Sequence, residues 1–506
     1  VAVHLANALL VYLLVSLAFR SPPFADGRAR PGGREQAGPL VALFAALLFA
    51  CHPLQTQAVT YVTQRFASLA TLFYLLASAL YAACRLSGSG ARSALLQAGA
   101  IASAALAMIA KEISFTLPFA LALIEVVLFR GERRRRLLRL LPFFLMLLIP
   151  LALHGVFAHG GLAEADASLR AAGRSPLTRW EYLLTQLRVV VTYLRLFVLP
   201  VGQNVDWDYP EYRSLLDPPV LLSLVFLLAI LAGAAILLLR SRRPDGPPEL
   251  ALASLGLFWF LGTLAVESGA VPLTDVIFEH RMYLPSVGLC IAASALAFHG
   301  RALLGRTAPA AARLVVPALS ALVLALGAAT YARNDLWTDE VRLWQDAAAK
   351  SPLKVRPHLE LGALHAARGR LADASREIET AIALAPGSAE AHNSLGVIRK
   401  REGRLAEAME SYLTALRLQP DFAEARANVG LLHAAQGRLE DAVGDFEEAV
   451  RMKPDYAEGH NGLGVLYAQQ GRLDDAVREW RTALTINPAH ARARANLERA
   501  LALPGR

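Results

Sequence analysis

A proline returns at every thirty-fourth residue near the end of this chain, at Pro352, Pro386, Pro420, Pro454 and Pro488. A fixed period of about 20–50 residues marks an array in which each unit buries its apolar face only against its neighbours. Glycine recurs at the same spacing at Gly362, Gly396, Gly430 and Gly464, and a second glycine follows seven residues later at Gly369, Gly403, Gly437 and Gly471. Alanines keep the period at Ala374, Ala408, Ala442 and Ala476 and again at Ala381, Ala415, Ala449 and Ala483, and one bulky position holds Ile378, Tyr412, Phe446 and Trp480. Small residues let the two helices of a hairpin approach, and the bulky one fills the gap between hairpins. The Gly-Arg-Leu turn ends the first helix of each unit and the proline stops the second.

This period and its small-large pattern resemble the tetratricopeptide repeat. Four full units are expected at 355–388, 389–422, 423–456 and 457–490, after a junction and half unit over 333–354 and before a capping helix and tail over 491–506. Asn393, Asn428 and Asn461 lie on the first helices, which commonly line a concave groove, and are candidate peptide-groove residues. No basic clamp suited to a peptide carboxylate is present.

Residues 1–332 have a different character. The chain as a whole is 55% hydrophobic and only 18% charged, against about 25% charged for soluble domains. The repeats are charged throughout, so the apolar excess falls in the first two thirds. Runs of about 17–25 apolar residues can cross a bilayer core about 30 Å thick. Such spans are expected near 1–19, 39–51, 66–84, 94–110, 113–129, 138–158, 219–239, 250–268, 282–299 and 314–332. The stretch from Trp180 to Pro200 carries Glu181, Arg188 and Arg195 along an otherwise apolar helix, so an interfacial or re-entrant course costs less than a crossing. The expected fold class is therefore all-α, a polytopic membrane bundle followed by a helical solenoid.

Arginine sets the orientation. The run from Arg130 to Arg136, the Arg240–Arg243 cluster, and the loops Arg28–Arg34, Arg85–Arg92 and Arg301–Arg313 share one side, the cytoplasmic one, if 180–200 does not cross. The formal charge of +9 is then mostly loop arginine, which argues against a nucleic-acid partner. Polar blocks at 52–65, 111–112, 159–180, 201–218 and 269–281, and the repeats, fall on the extracytoplasmic side. Cys51, Cys84 and Cys290 stand singly in or beside apolar segments, with neither metal-ligand spacing nor a disulfide pattern.

Four of those blocks carry candidate chemistry. In the first, Pro53 ends a span and places His52, Gln57 and Arg65 near the interface, where an anionic lipid phosphate suits the guanidinium. In the second, Lys111 and Glu112 interrupt an apolar run from Ala94 to Phe129, an expensive place for charge. In the third, Asp206 and Asp208 stand beside Trp207 and Tyr209, a combination suited to a sugar or a cation. In the fourth, Glu279, His280 and Arg281 put an acid, a base and a guanidinium at the mouth of a span, suited to proton transfer and phosphate binding. The alternatives are an interfacial anchor for Arg65, a hairpin tip with a locally satisfied pair for Lys111 and Glu112, an exposed acidic loop for Asp206 and Asp208, and an anchoring belt for Glu279 to Arg281.

In this order, the His52 to Arg65 block, Lys111-Glu112, the Tyr182 to Pro200 block, Glu279-His280-Arg281, Arg333 to Trp337 and Leu343-Trp344 resemble the transmembrane-and-tetratricopeptide-repeat proteins. Gln57 and Gln64-Arg65 match the bacterial branch. That family is similar to the GT-C glycosyltransferases. The resemblance implies transfer of a sugar, mannose in the animal members, from a polyprenyl-phosphate carrier to a protein Ser or Thr. It implies a donor substrate rather than a resident cofactor, and leaves a divalent metal open. It also implies that the principal catalytic acid stands in a first extracytoplasmic loop upstream of Val1, so that this chain begins after one span and that loop. Arg65, Lys111 and Arg281 are then the lipid-phosphate candidates, His52, Gln57, Asp206 and Asp208 the sugar or acceptor loop, and Glu279, His280 and Glu112 supporting catalytic groups. The implied location is a bacterial inner membrane with the repeats periplasmic. Two other classes stay open: a non-catalytic envelope scaffold, and a flippase or transporter of lipid-linked sugars.

Overall fold

The computed structural model describes residues 1–25, 37–61, 65–129, 133–148, 177–243, 246–269 and 275–502. The arginine loop 28–34, Arg130, Gln64, the end of the expected span 138–158 and nearly all of the loop 159–180 lie outside the described residues. Every element is helical among those described, and the chain divides into two compact units, Val1–Asp339 and Glu340–Arg506.

The first unit holds helices α1 (Ala2–Ala18), α2 (Ala37–Cys51), α3 (Arg65–Leu86), α4 (Ala91–Ala110), α5 (Leu117–Leu128), α6 (Arg133–Leu145), α7 (Arg179–Val198), α8 (Pro218–Ser241), α9 (Glu249–Leu264), α10 (Tyr283–Thr307) and α11 (Pro309–Leu336). Their ends follow from local chemistry. Helix α8 opens on Pro218 and Pro219, where a missing N–H costs nothing, and closes beside Arg240, whose charge suits the carbonyl end. Helix α7 opens on a capping box, in which the Thr178 hydroxyl accepts from the Glu181 N–H and the Glu181 carboxylate accepts from the Thr178 N–H.

Among the described residues, five helices are long and apolar enough to cross a membrane: α3, α4, α8, the Glu279–Thr307 stretch and α11, with a sixth if α2 and the bent continuation Pro53–Thr60 count as one span. Of the other expected spans, α1 and α9 are apolar but of only 17 and 16 residues. The span expected over 113–129 begins as a tight turn at Glu112–Thr116 and leaves a helix of 12 residues.

Helix α10 is the central post, packed against α2, α9 and α11. Its contact with α9 is set by two glycines facing each other. A Cβ on Gly256 would lie 2.2 Å from the Gly288 carbonyl oxygen, and one on Gly288 would lie 2.3 Å from the Gly256 oxygen. Small residues of this kind let apolar helices meet backbone to backbone, where dispersion rather than water release holds them together. Trp259, one turn along, packs edge-on to Tyr74 and donates its indole N–H to the Leu284 carbonyl at 3.2 Å.

The second unit is a run of hairpins: α13/α14 (Val355–Ala367, Leu371–Leu384), α15/α16 (Ala389–Arg401, Leu405–Leu418), α17/α18 (Ala423–Ala435, Leu439–Met452) and α19/α20 (Ala457–Gln469, Leu473–Ile486). Helix α12 (Glu340–Lys350) precedes them and α21 (Ala491–Leu501) follows. The periodic glycine of each first helix faces the bulky residue of its own hairpin, so a Cβ on Gly396 would stand 2.5 Å from Tyr412 Cε1. Phe446 also reaches the next hairpin, lying 2.3 Å from where a Cβ of Gly462 would be. The bulky position therefore fills space within hairpins as well as between them. The turn glycine takes the left-handed conformation, with φ of +79° at Gly403, and the Arg404 N–H returns to the Arg399 carbonyl at 2.9 Å.

The Gly256–Gly288 contact predicts a specific weakness. Gly256→Ala should lower stability by about 1–3 kcal/mol through overpacking against rigid backbone. Thermal unfolding of the detergent-solubilised chain, followed by tryptophan fluorescence, should show a lower Tm, and an unchanged Tm would refute the close contact.

Candidate functional site

The break after α2 is the first support of the site. His52 caps the tight turn Pro53–Gln55, and its Nδ1 accepts from the Leu54 N–H at 3.2 Å. That leaves the proton on Nε2, which donates to the Phe197 carbonyl at 2.8 Å while the ring stacks on Phe197 at 5.0 Å. Both nitrogens are thus committed to joining the break to α7. Gln57 accepts the His280 N–H at 2.8 Å, and Gln55 donates to the Ser286 hydroxyl at 2.9 Å. The 52–60 block is thereby docked onto the entry of α10.

Glu279 does similar work from the other side. One carboxylate oxygen accepts the Asn204 N–H at 2.6 Å and the other accepts from the Gln203 side chain at 2.8 Å. Gln203 also donates to the Pro53 carbonyl at 3.2 Å. The acid of the Glu279-His280-Arg281 motif therefore anchors the 203–206 loop. Asp206 and Asp208 part company: Asp206 is buried with that loop and Asp208 is exposed. Glu112 and Arg65 are also exposed, Glu112 at the start of the Glu112–Thr116 turn and Arg65 at the first residue of α3.

Lys111, His280 and Arg281 come together, and they bring a residue that the sequence reading missed. The Lys111 ammonium lies 2.6 Å from Oε1 of Glu267, a carboxylate only 3% exposed in its side chain. The Glu267 carbonyl accepts from the Tyr182 hydroxyl at 3.0 Å, which ties this corner to α7. Lys111 and Arg281 both lie close enough to act electrostatically on the His280 imidazole. The Arg281 guanidinium donates to the Val276 and Asp275 carbonyls at 3.0 and 2.8 Å and lies over the Phe278 ring, with Tyr182, Tyr193 and Glu267 in its electrostatic surroundings. Tyr193 closes the floor, its hydroxyl donating to the Phe278 carbonyl at 2.9 Å. Glu267 had a signal in the sequence: it is the one acid near the end of the apolar run 250–268. Among the described residues no group of three His, Cys, Asp or Glu stands where it could hold a metal ion.

In the second unit the three candidate asparagines each pair with another asparagine. Asn428 donates to Asn393 at 2.9 Å, and Asn496, which the sequence reading did not single out, donates to Asn461 at 3.1 Å. An amide has two donors and two acceptor sites, so these ladders keep capacity for a second partner.

These features define an all-helical protein with a tetratricopeptide-repeat array after an apolar helical unit. The family model described as Tetratricopeptide repeat matches residues 359–423, 401–457 and 428–491. No curated protein matches the chain. Among solved structures, the chain is similar to TTC0263, a thermophilic TPR protein in Thermus thermophilus, with 24% identity over 32% of this chain and 89% of that one at a TM-score of 0.30. It is similar to Pseudomonas aeruginosa pilF, with 24% identity over 29% of this chain and 67% of that one at a TM-score of 0.28. It is also similar to the first TPR of Spaghetti (RPAP3), bound there to an HSP90 peptide, with 18% identity over 22% of this chain and 90% of that one at a TM-score of 0.22. The repeats are a protein-interaction scaffold.

The Lys111–Glu267 pair carries a stability prediction. Lys111→Met strands a buried carboxylate and should cost about 3–5 kcal/mol. Adding Glu267→Leu should recover most of that loss, because an apolar pair no longer pays for desolvation. Unfolding temperatures of the single and double variants in detergent test this, and a double variant no more stable than the single one would contradict the pairing.

Proposed function

We propose that this chain is a membrane-embedded glycosyltransferase of GT-C type. It takes a sugar, mannose by analogy with the animal proteins it resembles, from a polyprenyl-phosphate carrier and transfers it to Ser or Thr of a protein held by the repeats. It works in a bacterial inner membrane with the repeats periplasmic. The observation that carries the reading is the convergence of blocks far apart in sequence (His52–Gln57, Lys111, Tyr182–Tyr193, Gln203–Asp206 and Glu267–Arg281) around buried cations. Positive charge in a low-dielectric corner is what a departing lipid phosphate requires. Recruiting the acceptor through the same chain raises its effective concentration and turns encounter into a local event.

A non-catalytic scaffold is the second reading, favoured by the repeat match and the paired groove asparagines. Its weakness is that a simple anchor has no use for a buried Lys111–Glu267–His280–Arg281 cluster.

Transfer from a defined polyprenyl-phosphate mannose to a Ser/Thr peptide, with the purified full-length protein in lipid nanodiscs, separates the two. Lys111→Ala should lower the rate by about a hundredfold, the usual loss for one preorganised donor. Absence of transfer by the full-length protein, together with peptide binding weakened by Asn428→Ala, would leave the scaffold reading.

A further inference from the structure

The Lys111 corner contains several buried polar atoms without a partner among the described residues. Oε2 of Glu267, Nδ1 of His280 and the hydroxyls of Ser114 and Ser268 are all sealed from solvent and unpaired. Glu267 and His280 are 4% and 6% exposed as residues. Each such atom carries an uncompensated desolvation cost, and a half-satisfied buried network is costlier than an apolar one. Unpaired buried atoms also stand elsewhere in the unit, at Asn7 Oδ1, Gln186 Oε1 and Ser294 Oγ among others, but the buried carboxylate of Glu125 is satisfied: it takes Arg85 at 2.7 and 2.8 Å and Tyr81 at 3.0 Å on its two oxygens. The contrast between the two cation-paired carboxylates marks the Lys111 corner as one whose acid keeps bonding capacity for a further partner.

The orphaned atoms describe that partner. Lys111 offers three N–H donors, and one is used by Glu267 among the described residues. The two left over call for an acceptor, and charge favours an anion. Oε2 of Glu267 accepts only, so it calls for a donor. A bare anion would face Glu267 without giving it a hydrogen, a cation would be repelled by Lys111 and Arg281, and a neutral alcohol would leave the ammonium unsatisfied. His280 Nδ1 can take either role according to tautomer.

We propose that Lys111, Glu267 and His280 form one composite subsite for a hydroxyl-bearing phosphate ester, Lys111 donating to the phosphoryl oxygens and Glu267 Oε2 accepting from a hydroxyl of the esterified polyol. Lys111, 14% exposed in its side chain, is the outermost member, and the ligand enters past it. The subsite places the sugar hydroxyl contact at Glu267 rather than at His52 or Gln57, whose Nδ1, Nε2 and Oε1 atoms accept or donate within the fold. The natural ligand's identity as a carrier-linked sugar rests on the transferase reading above; the subsite itself does not require transfer.

The test is calorimetric titration of the full chain in detergent with glucose 1-phosphate, methyl phosphate and methyl glucoside. Glucose 1-phosphate should bind about tenfold to a hundredfold more tightly than methyl phosphate, the worth of one hydrogen bond to a charged group. Methyl glucoside should show no binding. Glu267→Gln should erase the preference for glucose 1-phosphate while methyl phosphate binds as well as before or better. Lys111→Gln should weaken both phosphates, and Lys111→Arg should restore methyl phosphate. Equal affinity of the native chain for the two phosphates, or parallel loss of both in Glu267→Gln, overturns the assignment. If Glu267→Gln does not fold, Glu267→Asp replaces it, and a loss confined to glucose 1-phosphate is required. A short-prenyl phosphoryl mannose added as a further probe separates sources: tighter binding than the free ester indicates a lipid-linked ligand, equal binding a soluble one. The titration contains no acceptor and reads binding alone; Glu267-dependent binding in it, with no transfer to a Ser/Thr peptide in the separate transfer assay, sinks the transferase reading alone. Transfer without that binding sinks the subsite alone.

Discussion

A polar group inside an apolar helical bundle must find a partner or carry its desolvation cost, and the architecture of the first unit follows from that rule. Its helices are interrupted at Cys51–Pro53, at Lys111 and before Glu279. Each interruption frees backbone groups and exposes charged side chains to an apolar surrounding. They are tied off by one another: His52 to Phe197, Gln57 to His280, Glu279 to the 203–204 backbone and side chain, Lys111 to Glu267. The breaks therefore gather into one cluster, and that cluster is the candidate site. Most of its polar residues are committed to holding it in shape, which is what preorganisation requires. The few atoms left unpaired are consequently more informative than the many that are paired.

The second unit obeys a simpler constraint. Each hairpin needs close contact between its helices, and a glycine opposite Ile378, Tyr412, Phe446 or Trp480 provides it. Stability is then spread along the array, each hairpin leaning on the next. The groove side is left to polar residues, and the asparagine pairs Asn393–Asn428 and Asn461–Asn496 link first helices across neighbouring hairpins.

Legibility differed between the two units for a physical reason. The repeat period, hairpin limits and capping helix could be read directly, because contacts in an array are local and recur at fixed spacing. In the apolar unit the long hydrophobic segments were readable, and so was the expense of charge at Lys111. The roles of particular residues were less so. His52 and Glu279, read as chemical groups, serve as braces, because a side chain's partners there come from segments more than seventy residues away. Asp206 and Asp208, two apart and similar in sequence, end on opposite sides of the surface because a loop without helical or strand period gives no rule for which residue turns inward.

By itself, the sequence determined the helical class, apolar helices followed by a repeat array, and the blocks in which charge interrupts apolar runs. Period and hydropathy are local properties, and they survive without knowledge of what packs where. The tertiary structure alone decided that Lys111 pairs with Glu267 across 156 residues, that His280 and Arg281 join them, and that Glu267 Oε2 and His280 Nδ1 are left without partners among the described residues. Those facts depend on which helix ends meet, and that is set by the close approach of α9 and α10 at Gly256 and Gly288 and by the docking of the 52–60 turn. No residue spacing encodes such a meeting, because it is the sum of many weak contacts over the whole bundle.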